Sequence, residues 1–306
     1  MNLNSKNQTN LYGLNDELQK LVILYENKKL PKQILLSGQK GIGKCTMAYH
    51  LIYYILSKDE DFSYNLDNFT VNVENRTFKL IQNGSNPNFI LIDVKDEKKS
   101  IDISQIRKLI ENLNKSSFNN KPKFILIDNI ENLNLSSVNA LLKILEEPNK
   151  NTHFILINSD KKVLPTIKSR CLNFKIYLSK NDIINISNKL LGIDVSQLIN
   201  YDLINYYLTP GKIYKLNQFC IENQIDTKEI SLENFLLLLI NDTYYKKNSY
   251  IKYFIFELIE FYMVKKFKTL NFNLYNYFLK RIDNTKRFNL DEESLFIEIK
   301  SKLLNG

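Results

Sequence analysis

The chain has 306 residues, 44% of them hydrophobic, with 42 basic against 33 acidic side chains and a formal charge of +9. That length supports two or three domains around a sizeable core, and no apolar run approaches the ~20 residues of a membrane span. Met1 to Lys6 is polar and lacks a signal-peptide core, and Cys45, Cys171 and Cys220 are too few and too scattered for a disulfide framework or a four-cysteine zinc site, so a cytoplasmic protein is expected.

Asn15-Asp16 is placed to cap a first helix whose apolar side carries Leu18, Leu21, Val22 and Leu24. After Pro31, the short apolar run Ile34-Leu35-Leu36 predicts a buried strand, and it enters the glycine-rich turn Gly38 to Gly43 ahead of a helix from Lys44 towards Ser57. Residues 58–87 are polar, asparagine-rich and without period, and predict an irregular insertion. Phe89 to Ile92 is the next strand, followed by a helix capped by Asp102 with Ile103, Ile106, Leu109, Ile110 and Leu113 on one face. Lys123 to Ile127 is a third strand ending in Asp128. Ser136-Ser137 opens a helix with Val138, Leu141, Leu142 and Leu145 in register, stopped by Pro148. Phe154 to Ile157 is a fourth strand, 164–168 a short helix and Cys171 to Tyr177 a fifth strand. Continuous apolar strands alternating with helices predict a parallel α/β sheet covered on both faces. From Ser179 strand signals fade, and helices are expected at 180–191, 196–207, 210–223, 229–245, 248–268, 271–284 and 290–304. The domain boundaries fall near 178 and 226, giving segments 1–178, 179–226 and 227–306.

The sharpest motif is Gly38-Gln39-Lys40-Gly41-Ile42-Gly43-Lys44-Cys45-Thr46, the spacing of a phosphate loop in strand–loop–helix context. Gly38, Gly41 and Gly43 allow successive N–H groups to turn around phosphate oxygens, and the Lys44 ammonium reaches the β- and γ-phosphates. One position departs from the pattern: Cys45 stands where Ser or Thr would ligate Mg²⁺, with Thr46 one residue too late, and a hard cation prefers oxygen to a thiol. Asp128 ends its strand as a metal-side acid should, but Asn129 follows where a water-activating Glu is needed, and an amide takes no proton. Loss of a catalytic acid or base alone costs ~10²–10⁴-fold in rate. Ser159 is a candidate γ-phosphate sensor, with an ordinary turn serine as the alternative. Thr209-Pro210-Gly211-Lys212 is explained by a helix start, with cap, Pro at N1 and a basic first turn. Lysines at 244–252 and 262–268 read as solvated helix faces, leaving a modest attraction to DNA. His50 and His153 are isolated and read as packing residues.

Val138-Asn139-Ala140-Leu141-Leu142-Lys143-Ile144-Leu145-Glu146-Glu147-Pro148 followed by Ser169-Arg170-Cys171 resembles the bacterial DNA polymerase III clamp loader. The likeness covers residues 10–225 by motif and the remaining helices by general character. It implies an AAA+-like five-stranded domain, a small helical lid and a C-terminal all-α collar. Within the family the delta-prime subunit is the better match, because its loop and acid-box residues are commonly degenerate. By resemblance, Arg170 is an arginine finger reaching the γ-phosphate of a neighbouring gamma/tau subunit, with a pair to a local acid as the alternative, and Lys212 lies in the lid sensor region. The implied partners are gamma/tau and delta subunits, the sliding β clamp and primed DNA through the complex, with no membrane. The implied cofactor is ATP or ADP, weakly held or not hydrolysed, with Mg²⁺ only beside nucleotide. Many delta-prime subunits carry a four-cysteine zinc module after the loop helix; residues 58–87 hold no cysteine, so no zinc is expected. The rival readings are an active gamma-like ATPase and a DNA-binding module.

Overall fold

The computed structural model describes all residues except 1–3, 96, 97, 99, 114–118, 150, 160–162, 205–207, 248, 268–270, 289, 305 and 306, and the side chains of 247, 249 and 250. The chain packs as two units, Met1–Leu190 with Thr209–Lys212, and Leu191–Leu208 with Ile213–Gly306.

The first unit runs α1 (Asn15–Glu26), β1 (Gln33–Ser37), α2 (Lys44–Leu56), α3 (Arg76–Gln82), β2 (Phe89–Ile92), α4 (Ile103–Leu113), β3 (Lys123–Ile127), α5 (Leu135–Glu146), β4 (Thr152–Asn158), α6 (Pro165–Lys168), β5 (Leu172–Lys175) and α7 (Lys180–Leu191). The five strands form one parallel sheet in the order β2-β3-β4-β1-β5. Successive strand residues point to opposite faces, and the two faces bury different sets. Ile34, Leu36, Phe124, Leu126, Ile155 and Ile157 pack with residues of α1 and α2 on one side. Leu35, Ile125, Ile127, Phe154 and Leu156 pack with α4 and α5 on the other. Each such buried aliphatic or aromatic side chain contributes about 1.5–3 kcal/mol, which is why the middle of each central strand is apolar.

Three local expectations change. Asn15 and Asp16 do not cap α1 but lie within its first turn, the N-cap being Leu14 with a left-handed backbone (φ 57°) and no side-chain cap bond. α5 begins at Leu135, one residue before the serine pair, because the Asn134 side chain accepts the Ser137 N–H at 2.8 Å and so caps the helix. The insertion at 58–87 is ordered. Its Asn65 and Thr70 bridge, Leu11 N–H donates to Phe69 O at 3.0 Å, and Val71 N–H donates to Thr9 O at 2.9 Å. α3 is capped by Asn75, and the Glu60 carboxylate accepts both the Thr77 hydroxyl (2.6 Å) and the Thr77 N–H (3.0 Å). Tyr64, Phe69, Val71, Phe78 and Ile81 join the α2 core. Polar contacts between residues far apart in sequence leave no period to read, which is why the segment looks irregular.

The second unit contains α8 (Val195–Leu198), α9 (Pro210–Glu222, beginning in the first unit), α10 (Leu232–Asn241), α11 (Tyr244–Lys247), α12 (Ser249–Lys265), α13 (Phe272–Phe288) and α14 (Glu292–Ile299), the last continuing as a π-helical turn Lys300–Leu304. Phe235, Leu236, Ile255, Phe256, Phe278 and Phe296 are fully or almost fully buried in it. The helix expected over 196–207 is instead α8 and a 3₁₀ turn at Tyr201–Leu203, its end lying outside the described residues. The 229–245 helix is divided at Asp242-Thr243, where Thr243 has a left-handed backbone (φ 54°).

Candidate nucleotide site

The phosphate loop leaves β1 at Ser37 and enters α2 at Lys44. Gly41 and Gly43 have φ of 90° and 96°, in the region that favours glycine, and Gly43 is the N-cap of α2. A Cβ on Gly41 would stand 2.4 Å from Thr209 Oγ1. The loop's carbonyls are engaged in turn. Lys44 Nζ donates to Gly38 O at 2.7 Å and Gln39 O at 2.6 Å. Thr209 Oγ1 donates to Lys40 O at 2.8 Å, and Gly211 N–H donates to Gly41 O at 2.9 Å. Met47 N–H donates to Gly43 O at 2.9 Å. Among the described residues, the N–H groups of 39–43 are spent on no other group of the chain. Unspent N–H groups backed by engaged carbonyls, at the N-terminus of a 13-residue helix, make an anion nest. The loop therefore fits phosphate.

The metal side does not fit Mg²⁺ in the same way. The Cys45 thiol lies beside Asp128 and Ser5; burial, then the Asp128 charge, push its pKa well above the usual thiol value. It stays a neutral S–H. Asp128 is itself raised, first by burial and then by the Asp93 charge, against the opposing pull of Cys45, the Asn129 N–H and Lys44. A hard cation would have to displace the thiol and would find sulfur where oxygen is wanted. Asn129 has a left-handed backbone (φ 55°), and its Nδ2 donates to Asp93 Oδ1 at 2.8 Å. Glu131, the nearest alternative base, accepts the Ser159 N–H at 3.4 Å. Asn129, as an amide, offers no group that takes a proton from water.

Of the predicted residues, Gly38, Gly41, Gly43, Lys44, Cys45, Thr46 and Asp128 come together at the loop, and Lys212 reaches it through its backbone, its N lying 3.5 Å from a Cβ built on Gly41. Ser159 is engaged with Glu131 instead. Two residues of the site were not anticipated. Asp93 follows β2 just as Asp128 follows β3, and the same signal, an apolar strand ending in an acid, was available to find it. Asn158 ends β4 in register with Ser37, the residue before the loop, and is 4% exposed; a strand-terminal amide carries no such signal.

Arg170 lies elsewhere. It directly precedes the edge strand β5, whose Leu172 pairs with Ile34 near the start of β1. The loop leaves the other end of β1, so Arg170 and the chain's own cradle lie at opposite ends of two adjacent strands, with Ile34 to Gly38 alone spanning roughly 13 Å. Arg170 Nη1 donates to Thr166 O at 3.0 Å, and Nη2 is paired with Glu146 at the end of α5.

A parallel 2-3-4-1-5 sheet, a phosphate loop after its fourth strand in space and an all-helical second unit define the AAA+ class of P-loop proteins. Residues 13–180 match the family described as DNA polymerase III, delta subunit. The chain belongs to that family and is a clamp-loader protein of the AAA+ type. It is 35% identical over 159 residues to the DNA polymerase III subunit gamma of Buchnera aphidicola (Schizaphis graminum), covering 51% of this chain and 41% of that protein. It is 33% identical over 163 residues to the subunit delta' of Bacillus subtilis, covering 51% and 46%. The chain thus spans about half the length of the curated relatives it matches. A DNA polymerase III gamma subunit-related protein from Thermotoga maritima superposes with TM-score 0.53 at 17% identity over 94% of this chain and 98% of that one, a likeness of fold.

Proposed function

We propose that the chain is the delta-prime, stator-type subunit of a DNA polymerase III clamp loader. The observation that carries this reading is the Cys45 thiol beside Asp128, which puts a neutral sulfur where a catalytic Mg²⁺ would need an oxygen. Asn129, tied to Asp93, supports it from the side of the base. In this reading segment 1–178 is the AAA+-like domain, 179–226 the lid and 227–306 the collar through which it assembles. It holds a nucleotide weakly and without useful turnover, and stands in an arc with gamma/tau and delta subunits that opens the sliding β clamp for primed DNA. Arg170 serves the neighbour's γ-phosphate: a half-buried guanidinium at the end of the strands away from its own loop suits work in trans, where such a finger is worth ~10³–10⁵ in rate. The Glu146 pair is then a resting position that assembly exchanges for phosphate.

The second reading, a gamma-like ATPase, draws on the well-formed anion nest and on the 35% identity to a gamma subunit. Steady-state ATPase measurements on the isolated chain separate the two. The stator reading expects no turnover above background; turnover abolished by Lys44→Ala would overturn it and establish the second.

A further inference from the structure

The segment Thr209-Pro210-Gly211-Lys212 is fully accounted for by sequence as a helix start, yet it belongs by packing to the first unit while the chain on either side of it belongs to the second. Thr209 is fully buried. Its hydroxyl is directed not to its own helix but to Lys40 O, 169 residues away, at 2.8 Å. Next to it, Gly211 N–H takes Gly41 O at 2.9 Å, and the two glycines touch back to back: a Cβ on Gly211 would lie 3.0 Å from both Gly41 Cα and Gly41 O. Lys44 takes the two preceding carbonyls. A peptide's N–H and C=O point in opposite directions, so fixing the carbonyls of Lys40 and Gly41 outward fixes the N–H groups of Gly41 and Ile42 inward.

We propose that Thr209 and Gly211 are positioning residues that brace the phosphate loop from outside, presetting its N–H nest for the phosphates of a nucleoside di- or triphosphate. The two residues touch no ligand; they hold four consecutive carbonyls in place together with Lys44, so that the loop does not have to be ordered when the anion arrives. Gly is required at 211 because any side chain would push Gly41 off its position. The brace rests on the reading of Gly38–Thr46 as a phosphate loop, and it is independent of whether the subunit hydrolyses what it binds.

The test is calorimetric titration of the full chain with ADP, and separately with pyrophosphate, both without Mg²⁺, alongside thermal melts. Wild type binds both, and Lys44→Ala loses them. Thr209→Val, which keeps shape and removes the donor, weakens binding about tenfold, the worth of one hydrogen bond. Thr209→Ser restores it, and Gly211→Ala weakens it as well. The Ser rescue keeps the result meaningful even where the Val variant melts early. Lys44-dependent binding that is equal in wild type, Thr209→Val and Gly211→Ala would overturn the brace and leave the phosphate loop standing, a change confined to melting temperature being the mark of a mere helix anchor. No Lys44-dependent binding in wild type would overturn the phosphate-loop reading and the brace with it, while leaving the stator proposal intact.

Discussion

At position 45 a single atom decides what the loop can hold. Its thiol is kept protonated by burial beside Asp128, so a neutral sulfur stands where a cation would need oxygen. Cys45→Thr substitutes an oxygen at the same place, and Mg²⁺ should then raise ADP affinity by about tenfold where it changes wild type little. Equal Mg²⁺ dependence in the two proteins would show that the thiol is not what excludes the metal. Turnover should stay absent in the variant, since Asn129 still offers no base. Arg170 obeys a different economy: its partner Glu146 is 54% exposed at the side chain, so the pair adds at most ~1 kcal/mol to the fold and little is lost when it exchanges for another anion.

At the scale of elements, α2 is the spine of the first unit and almost all its residues are buried. His50 lies within it at 0% exposure, its Nδ1 2.8 Å from Tyr64 Oη, which ties α2 to the ordered insertion. Burial lowers the imidazole pKa from 6.5 to about 4, so the folded state holds the neutral ring. The stability this contributes is complete above pH 6.5 and is lost as pH falls from there towards 4, by about 3 kcal/mol at most. Urea unfolding at pH 7.5 and pH 5 should show that loss in wild type and a flatter dependence in His50→Gln; equal slopes would mean that His50 does not titrate with unfolding.

The same elements show what can be read from a chain of this kind. Strands such as Phe124 to Ile127 are apolar throughout because both faces are covered, and the loop's glycines are spaced by the backbone angles they must adopt, so sheet and cradle are legible directly. The insertion is not, because Asn75, Thr77 and Glu60 cooperate across 17 residues with no periodic signature. Thr209 is illegible for a related reason: its local role as a cap is sufficient, and nothing in sequence announces a partner 169 residues away. Asp93 was legible and was passed over, while Asn129 carried its meaning in what it lacks.

Over the whole molecule, the charge of +9 does not gather into the lysine clusters that suggested a nucleic-acid surface. Lys246 pairs with Glu293, Lys252 with Glu292, Lys265 with Asp202 and Lys266 with Glu233. The described lysines of the two clusters are thus each beside an acid, which weakens what those side chains offer a phosphate backbone. Among the described residues no helix is long and apolar enough to cross a membrane. The family assignment rests on the first unit, residues 13–180. One end of the strands carries a nest for phosphate; the other carries Arg170, paired with Glu146.

The most direct measurement compares two variants of this chain in a clamp loader reconstituted with gamma/tau and delta subunits, reading steady-state ATPase in the presence of clamp and primed DNA. Lys44→Ala, which disables the chain's own cradle, should leave turnover close to wild type, whereas Arg170→Ala should lower turnover at the neighbouring site by about 10³-fold or more. The reverse pattern, with Lys44→Ala depressing turnover and Arg170→Ala leaving it unchanged, would contradict the account and make this chain an ATPase in its own right.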